Sequence, residues 1–439
     1  MDARAVTRWA LRHGLVQGAL RRAQRAGDLH ARSVLDPAVR ADPYPLYDAV
    51  RAQGPLVRGR LAHITATHTV ATSVLRSDDF RAGPDERAFP RPLRAVAGWA
   101  RDDRALSPID PPSLLVVEPP EHTRYRRLVQ RVFTARAVER LRSDVEQVAA
   151  DLLDDLAVRA SEPVDLVEAY AMLLPVTVIA NVLGVPPEER GTVLAFGNQA
   201  APSLDIGLSF RQFREVDAGL RGFQRWLVAH LDRLRRSPGD DLLSQLVTVE
   251  DEGQRLSQTE LLATAGLLLA AGFETTVNLL GSGVELLLRH PDQLAALRDD
   301  ASLWAGAVEE VLRYESPVQV TARFALRDTE VQGRPLTAGS LVVTMLGGAN
   351  RDPDVFAEPH RFDVRRVNAR DHLSFSAGRH FCLGAALARL EGELGLRRLF
   401  ERFPDLVLAG PPTRRGTRVL RGWAHLPVLL GRPKDATAA

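Results

Sequence analysis

The chain has one cysteine and one lysine in 439 residues. The single thiol, Cys382, excludes an intramolecular disulfide and a structural zinc site built on several cysteines. It also leaves too few thiolates to ligate an iron–sulfur cluster. The lysine is Lys434, so arginine supplies almost all the positive charge. The formal net charge of +2 excludes a polybasic nucleic-acid binder, and no nucleic acid partner is expected. Long apolar runs are scarce as well. The most apolar stretch, Leu261 to Phe273, is cut off by Glu274 before it reaches the ~20 residues of a membrane span. Arginine interrupts every apolar run in residues 5–25, so no signal-peptide core is visible there. A soluble, cytoplasmic chain without a transmembrane anchor is the expectation. No repeat, low-complexity block or polar linker divides the sequence. A single domain over 1–439 follows, with residues 1–35 as an N-terminal helical extension.

The 45% hydrophobic content is ample for a core. Residues 43–52 read as a short helix, and 56–68 alternate and then break as a hairpin does. Residues 84–120, rich in Pro and Arg with weak periodicity, read as a long loop. From His122 the pattern is helical for most of two hundred residues, with Val145, Val148, Leu152 and Leu156 at helical spacing. Ser257 with Glu260 predicts a capping box that opens a long apolar helix, ending before Pro291. A further helix is expected over 301–315. Runs rich in β-formers fill 318–346, and helix resumes after Cys382.

Four groups of residues carry candidate chemistry. The segment FSAGRHFCLG holds Cys382 just ahead of a helix, where free N–H groups and the helix dipole favour thiolate. In it Gly378 permits a tight turn and Gly384 a close approach by a flat ligand. A loop that presents one anionic sulfur can supply one axial bond to a haem iron, whereas a lone cysteine without such a loop is ordinarily a small buried hydrophobe. In AGFETT, a carboxylate and two hydroxyls sit inside the apolar helix, where polar groups need partners or a function. The ordinary fate of Thr275 is a bond to the carbonyl one turn back, and that of Glu274 a pairing with arginine. Glu310 and Arg313 share a helix face. His122 and Arg126 share another, Arg323 lies on an expected strand, and His380 lies in the cysteine loop.

Together these segments resemble the cytochromes P-450 of soluble, actinobacterial type. Phe375, Gly378, His380, Cys382 and Gly384 stand at the positions of that family's haem-binding signature. NRDPDVF, EPPEHTRYR and GDDLL match as well, so the likeness spans roughly residues 40–430. The resemblance implies the triangular-prism fold, mainly α with small β-sheets, around a b-type haem. It implies that Cys382 ligates the iron and that Ala271 and Gly272 open a groove for dioxygen. Thr275 would then hydrogen-bond the oxygen, and Glu274 would relay protons. His122, Arg126, Arg323 and His380 match the family's haem-propionate partners, a strong class of hydrogen bond. Glu310, Arg313 and Arg361 align with its structural Glu–Arg–Arg cluster.

The implied reaction inserts one atom of O2 into a small lipophilic substrate, using two electrons and two protons. With neither flavin nor cluster segments in the sequence, the electrons are expected from NAD(P)H through a separate ferredoxin and ferredoxin reductase. A basic face at Arg124, Arg127 and Arg379 is a candidate docking surface. A peroxide-driven peroxygenase and a non-catalytic haem-thiolate sensor are the alternatives; an intact Glu274–Thr275 pair speaks against both. By position in the family, the pocket draws on the 84–112 segment, residues near 197–212, Leu267, Ala270, Gln319, Val320, Thr321 and Trp423. Arg91 or Arg94 could meet an acidic ligand, though a solvated loop is the simpler reading.

Overall fold

The computed structural model describes residues 2–83, 91–102, 106–130, 133–159, 162–248 and 256–434. The chain opens with α1 (Ala3–Trp9), a single π-type turn, and α2 (Leu15–Arg25). After α3 (Tyr44–Ala52) the expected hairpin forms from β1 (Val57–Arg58) and β2 (His63–Thr65). A third strand, β3, covers Phe80–Arg81. The following segment departs from the sequence reading. Arg91–Ala100 is a helix, α4, with Leu93, Val96 and Trp99 exposed. Pro92 at its start, together with the Pro- and Arg-rich composition of 84–120, made it read as loop, although proline is well tolerated in a first helical turn. Arg91 and Arg94 are exposed on it. Residues 84–90 and 103–105 of the expected pocket loop lie outside the described residues.

Next come α5 (Glu121–Gln130), α6 (Leu173–Val182) and α7 (Phe210–Arg236). The long helix α8 runs from Gln258 to Arg289. Its capping box is present: Glu260 N–H donates to Ser257 Oγ at 3.3 Å, and Ser257 N–H donates to the Glu260 carboxylate at 2.8 Å. The same carboxylate accepts from Arg124 at 2.5 Å and from the Tyr125 hydroxyl at 2.6 Å. One side chain therefore starts α8 and docks α5 against it. α8 is the one described helix long and apolar enough to cross a membrane by length and composition, but most of it is buried inside the protein.

Beyond it lie α9 (Trp304–Tyr314), β4 (Val320–Ala325), β5 (Leu341–Met345) and α10 (Ala385–Arg402). The last strands used here are β6 (Thr413–Arg414) and β7 (Trp423–His425). The main sheet runs β1-β2-β5-β4-β3, with β2 and β5 parallel and the other pairs antiparallel.

α8 and α10 approach closely because small residues lie between them. A Cβ on Gly283 would stand 2.7 Å from Leu396, and one on Gly392 would stand 2.9 Å from Leu279. Leu279, Leu280, Leu287, Leu396 and Leu399 are almost wholly buried in this seam. Each such leucine contributes roughly 1.5–3 kcal/mol by burial. The fold is mainly α with small sheets, as expected, and this seam fixes the helix of Glu274 and Thr275 over the one that follows Cys382.

Candidate functional site

The cysteine loop is held at both ends. Cys382 N–H donates to Phe375 O at 2.9 Å. Gly378 has φ +69°, and a Cβ there would come within 2.4 Å of Leu75 O, so the turn requires glycine. Gly384 meets nothing within 4 Å of where a Cβ would be, which leaves room above the loop. α10 begins at Ala385 with Gly384 as its cap, so the sulfur does sit at a helix N-terminus. Burial pushes the Cys382 thiol up, although Gly384 N–H, Arg126 and Arg389 pull the other way. The helix end favours thiolate, as expected, through the Gly384 N–H. Desolvation outweighs it here, and a ligated iron would deprotonate the thiol outright.

Cations converge beside this loop. The rings of His122 and His380 lie 4.6 Å apart, and His122 Nε2 is buried with no partner among the described residues. Burial, then the charges of His380 and Arg126, lower His122 to about 4. Arg323 is buried on β4, donating to Thr321 Oγ1 at 3.2 Å and to Ala322 O at 2.8 Å. Burial lowers it to about 10. Burial also lowers Arg126, with Cys382 opposing.

Glu118, the first residue of EPPEHTRYR, is the acid of this region, and sequence reasoning passed over it. It accepts from Ala82 N–H at 2.6 Å and from Arg379 at 3.0 Å, and lies 3.3 Å from His380. Burial alone would raise Glu118, but His380, the Ala82 amide and Arg379 hold it at about 2. One carboxylate cannot satisfy His122, Arg126, Arg323 and His380 together. A haem with two propionates fits this surplus of donors, of which His122 and Arg323 are buried, and the open space at Gly384 fits a flat macrocycle.

On α8, Ala271 is exposed and Thr275 half-buried, although the helix around them is buried. Thr275 Oγ1 donates to Ala271 O at 3.1 Å, and Glu274 is ion-paired with Arg415. Both are the ordinary fates of these residues, and both keep them in place. Burial raises the Glu274 carboxyl, with Arg415 opposing. Gly272 faces Ile179 of α6, where a Cβ would stand 3.0 Å away. Behind it, on α10, the wholly buried Glu391 is raised well above the usual carboxylate range by burial and meets Thr276.

Glu310 and Arg313 are fully buried and bonded through two contacts of 2.7 and 2.8 Å. Arg313 also donates to the carbonyls of Asn350, Pro359 and Arg361. The third member of the cluster corrects the sequence reading. The Arg361 side chain is exposed and, among the described residues, reaches only Glu358, while Arg366 contacts Glu310 at 3.2 Å with 8% of its side chain exposed. Arg361 contributes its carbonyl instead. Arg366 stands five residues on in RFDVRR, where spacing could not tell one arginine from the next.

The expected pocket residues are not all gathered. Leu267 and Ala270 are half-buried on α8. Gln319 is locked in the interior, accepting from the Tyr47 hydroxyl and donating to Ser316 O at 2.7 Å. Val320 packs with Tyr44, Tyr47 and Met345 under the sheet, and the Thr321 hydroxyl serves Arg323. Trp423 packs at Gly281, ten residues and therefore ~15 Å along α8 from Ala271. The candidate docking face is altered too: Arg124 is spent on Glu260, and Arg379 on Glu118 and Asp78.

Residues 223–409 match the family model described as Cytochrome P-450. A cytochrome P-450 numbered 140 from Mycobacterium tuberculosis is 54% identical over 426 residues, covering 96% of this chain and 97% of that protein. The cytochrome P-450 monooxygenase PikC of Streptomyces venezuelae is 40% identical, over 90% of this chain and 93% of its own. The solved structure of the epothilone D-bound P-450epoK is 31% identical with a TM-score of 0.81, covering 90% of this chain and 98% of that one. The chain belongs to the cytochrome P-450 family, oxidoreductases that carry haem.

Proposed function

We propose that this protein is a cytoplasmic monooxygenase that inserts one atom of O2 into a lipophilic natural product or lipid. Cys382 would ligate the haem iron, and His122, Arg126, Arg323 and His380 would hold the propionates. When bound, the haem supplies the one-electron and dioxygen chemistry. The chain's own residues supply position and protons. Burial keeps the Glu274 carboxyl able to carry a proton beside Thr275, whose hydroxyl can pass it toward the open face of α8. Electrons would come from NAD(P)H through a separate reductase and ferredoxin, because one cysteine cannot ligate a cluster. Relatives named for 6-deoxyerythronolide B hydroxylation and polyketide biosynthesis support the substrate class.

The observation that carries this reading is the convergence of one cysteine sulfur, a surplus of arginine and histidine donors and a raised carboxyl on the facing helix. The test begins with the ferrous–CO spectrum of the purified protein. Polyketide lactones, steroids and fatty acids are then titrated into the ferric form, and product is measured with ferredoxin and reductase. Thiolate-type CO absorption, a high-spin shift with one class and ferredoxin-dependent product are expected. A CO spectrum without thiolate character, or turnover with peroxide alone, would overturn it.

A further inference from the structure

Five residues of α8 form a polar stripe at helical spacing: Glu274, Asn278, Ser282, Glu285 and Arg289. Strands β6 and β7 and the turn between them cover it. Arg415 pairs with Glu274, and its Nε donates to Trp423 O at 3.2 Å. Gly422 lies so close over Asn278 that a Cβ there would come within 1.8 Å of its Oδ1. The Arg414 guanidinium stacks 3.5 Å over the Trp423 ring. At the far end, buried Glu285 pairs with Arg289, whose side chain is 59% exposed. The stripe therefore runs from the acid of the active helix to solvent, over ~22 Å.

The polar atoms along it are unmatched. Glu274 Oε2, Asn278 Oδ1 and Nδ2, Ser282 Oγ, Trp423 Nε1 and Arg414 Nη1 are all buried and have no partner among the described residues. Asn278 and Ser282 are 1% and 0% exposed, so bulk water does not reach them freely. Left dry, each such atom would cost roughly 1–3 kcal/mol. Proteins meet that cost with ordered internal water, which needs two to four polar partners per molecule.

We propose that a file of ordered waters runs along this stripe and returns protons from solvent at Arg289 to Glu274. The inference rests on Glu274 being the proton donor of the proposed reaction. That reaction consumes one O2, two electrons from the ferredoxin-class donor and two solvent protons. It yields hydroxylated substrate and one water. Each proton leaves the Glu274 carboxyl toward Thr275, and the carboxylate left behind is held by Arg415. A water at Oε2 then reprotonates it and is itself refilled along Asn278 and Ser282. Asn278, Ser282 and Trp423 are positioning residues, because they hold the water and not the substrate.

The experiment is infrared hydrogen–deuterium exchange on the substrate-free ferric holoenzyme, rapidly mixed into D2O. The Glu274 carboxyl band is identified by its loss in Glu274→Gln. It is then followed in the native protein, in Asn278→Leu and in Trp423→Phe, which keeps an aromatic side chain there but removes the indole N–H together with its five-membered ring. Exchange is expected to slow by roughly tenfold or more in both variants, the factor matching one lost hydrogen bond of about 1.4 kcal/mol. Unchanged exchange rates overturn the water file while leaving Glu274 as donor. Absence of any protonated Glu274 band overturns the donor reading and the file with it. If Asn278→Leu fails to fold, Trp423→Phe decides, together with a high-resolution structure of the native holoenzyme. Waters bonded to Asn278, Ser282 and Trp423 Nε1 support the file, and a dry, internally re-paired stripe refutes it.

Discussion

Replacing Arg366 by alanine tests the buried cluster directly, because Arg361 provides a matched control five residues away. Arg366 Nε lies 3.2 Å from the Glu310 carboxylate, and its other nitrogens donate to the carbonyls of Ala357, Glu358 and Arg361 at 2.7, 3.3 and 3.0 Å. Glu310 is wholly buried. Removing one cation from a buried ionic cluster costs roughly 3–5 kcal/mol, because the remaining charge stays desolvated. The Arg361 side chain is 59% exposed and pairs with an exposed Glu358, an arrangement worth about 0–1 kcal/mol. At roughly 2 cal/mol/K per residue of unfolding entropy, a chain of this length shifts its Tm by about 1 °C per kcal/mol. Arg366→Ala should therefore lose about 3–5 °C, and Arg361→Ala should stay within about 1 °C of the native protein. The assay is a melt of the haem-loaded protein followed by Soret absorbance and far-ultraviolet circular dichroism. Equal losses in the two variants, or a silent Arg366→Ala, would refute the assignment.

Cys382→Ser should abolish the thiolate-type CO spectrum while leaving the far-ultraviolet spectrum close to native. Thr275→Ala should divert reducing equivalents from product to peroxide, measured as the ratio of peroxide to NAD(P)H consumed; full coupling would remove Thr275 from the proton path. Gly378→Ala places a Cβ 2.4 Å from Leu75 O at φ +69°, so haem retention should fall, read as Soret absorbance per protein after gel filtration. His13 is lowered to about 4 by burial, then by Arg12, and accepts the Leu208 N–H when neutral. A depressed histidine contributes stability that is present above its unfolded value of about 6.5 and lost as pH falls toward 4. The melting temperature should therefore drop across that window in the native protein and drop less in His13→Gln.

Much of the site was legible because its chemistry is local. The cysteine loop needs a left-handed glycine, a helix start and one sulfur within ten residues, and FSAGRHFCLG carries all three. The capping box at Ser257 is likewise set by residues three apart, and it closes as its spacing predicts. α4 was misread because prolines at its start disguise a helix whose side chains are largely exposed, so burial left no periodic mark on it. Arg366 could not be chosen over Arg361 from spacing, since only the packing of the 357–366 turn decides which guanidinium is desolvated against Glu310. Glu118 and Arg415 act through partners 262 and 141 residues away, and no local pattern encodes such pairs. The sequence by itself determined the class of fold, through the family likeness, and also the cysteine loop ahead of a helix and the long capped apolar helix, because these last two rest on short-range backbone and capping chemistry. Tertiary structure alone decided which charges are buried together, that burial raises Cys382 and Glu274 above their ordinary values, and that Gln319 is locked in the interior while Trp423 packs at Gly281. Desolvation is a property of what surrounds a side chain, and those surroundings come from distant parts of the chain.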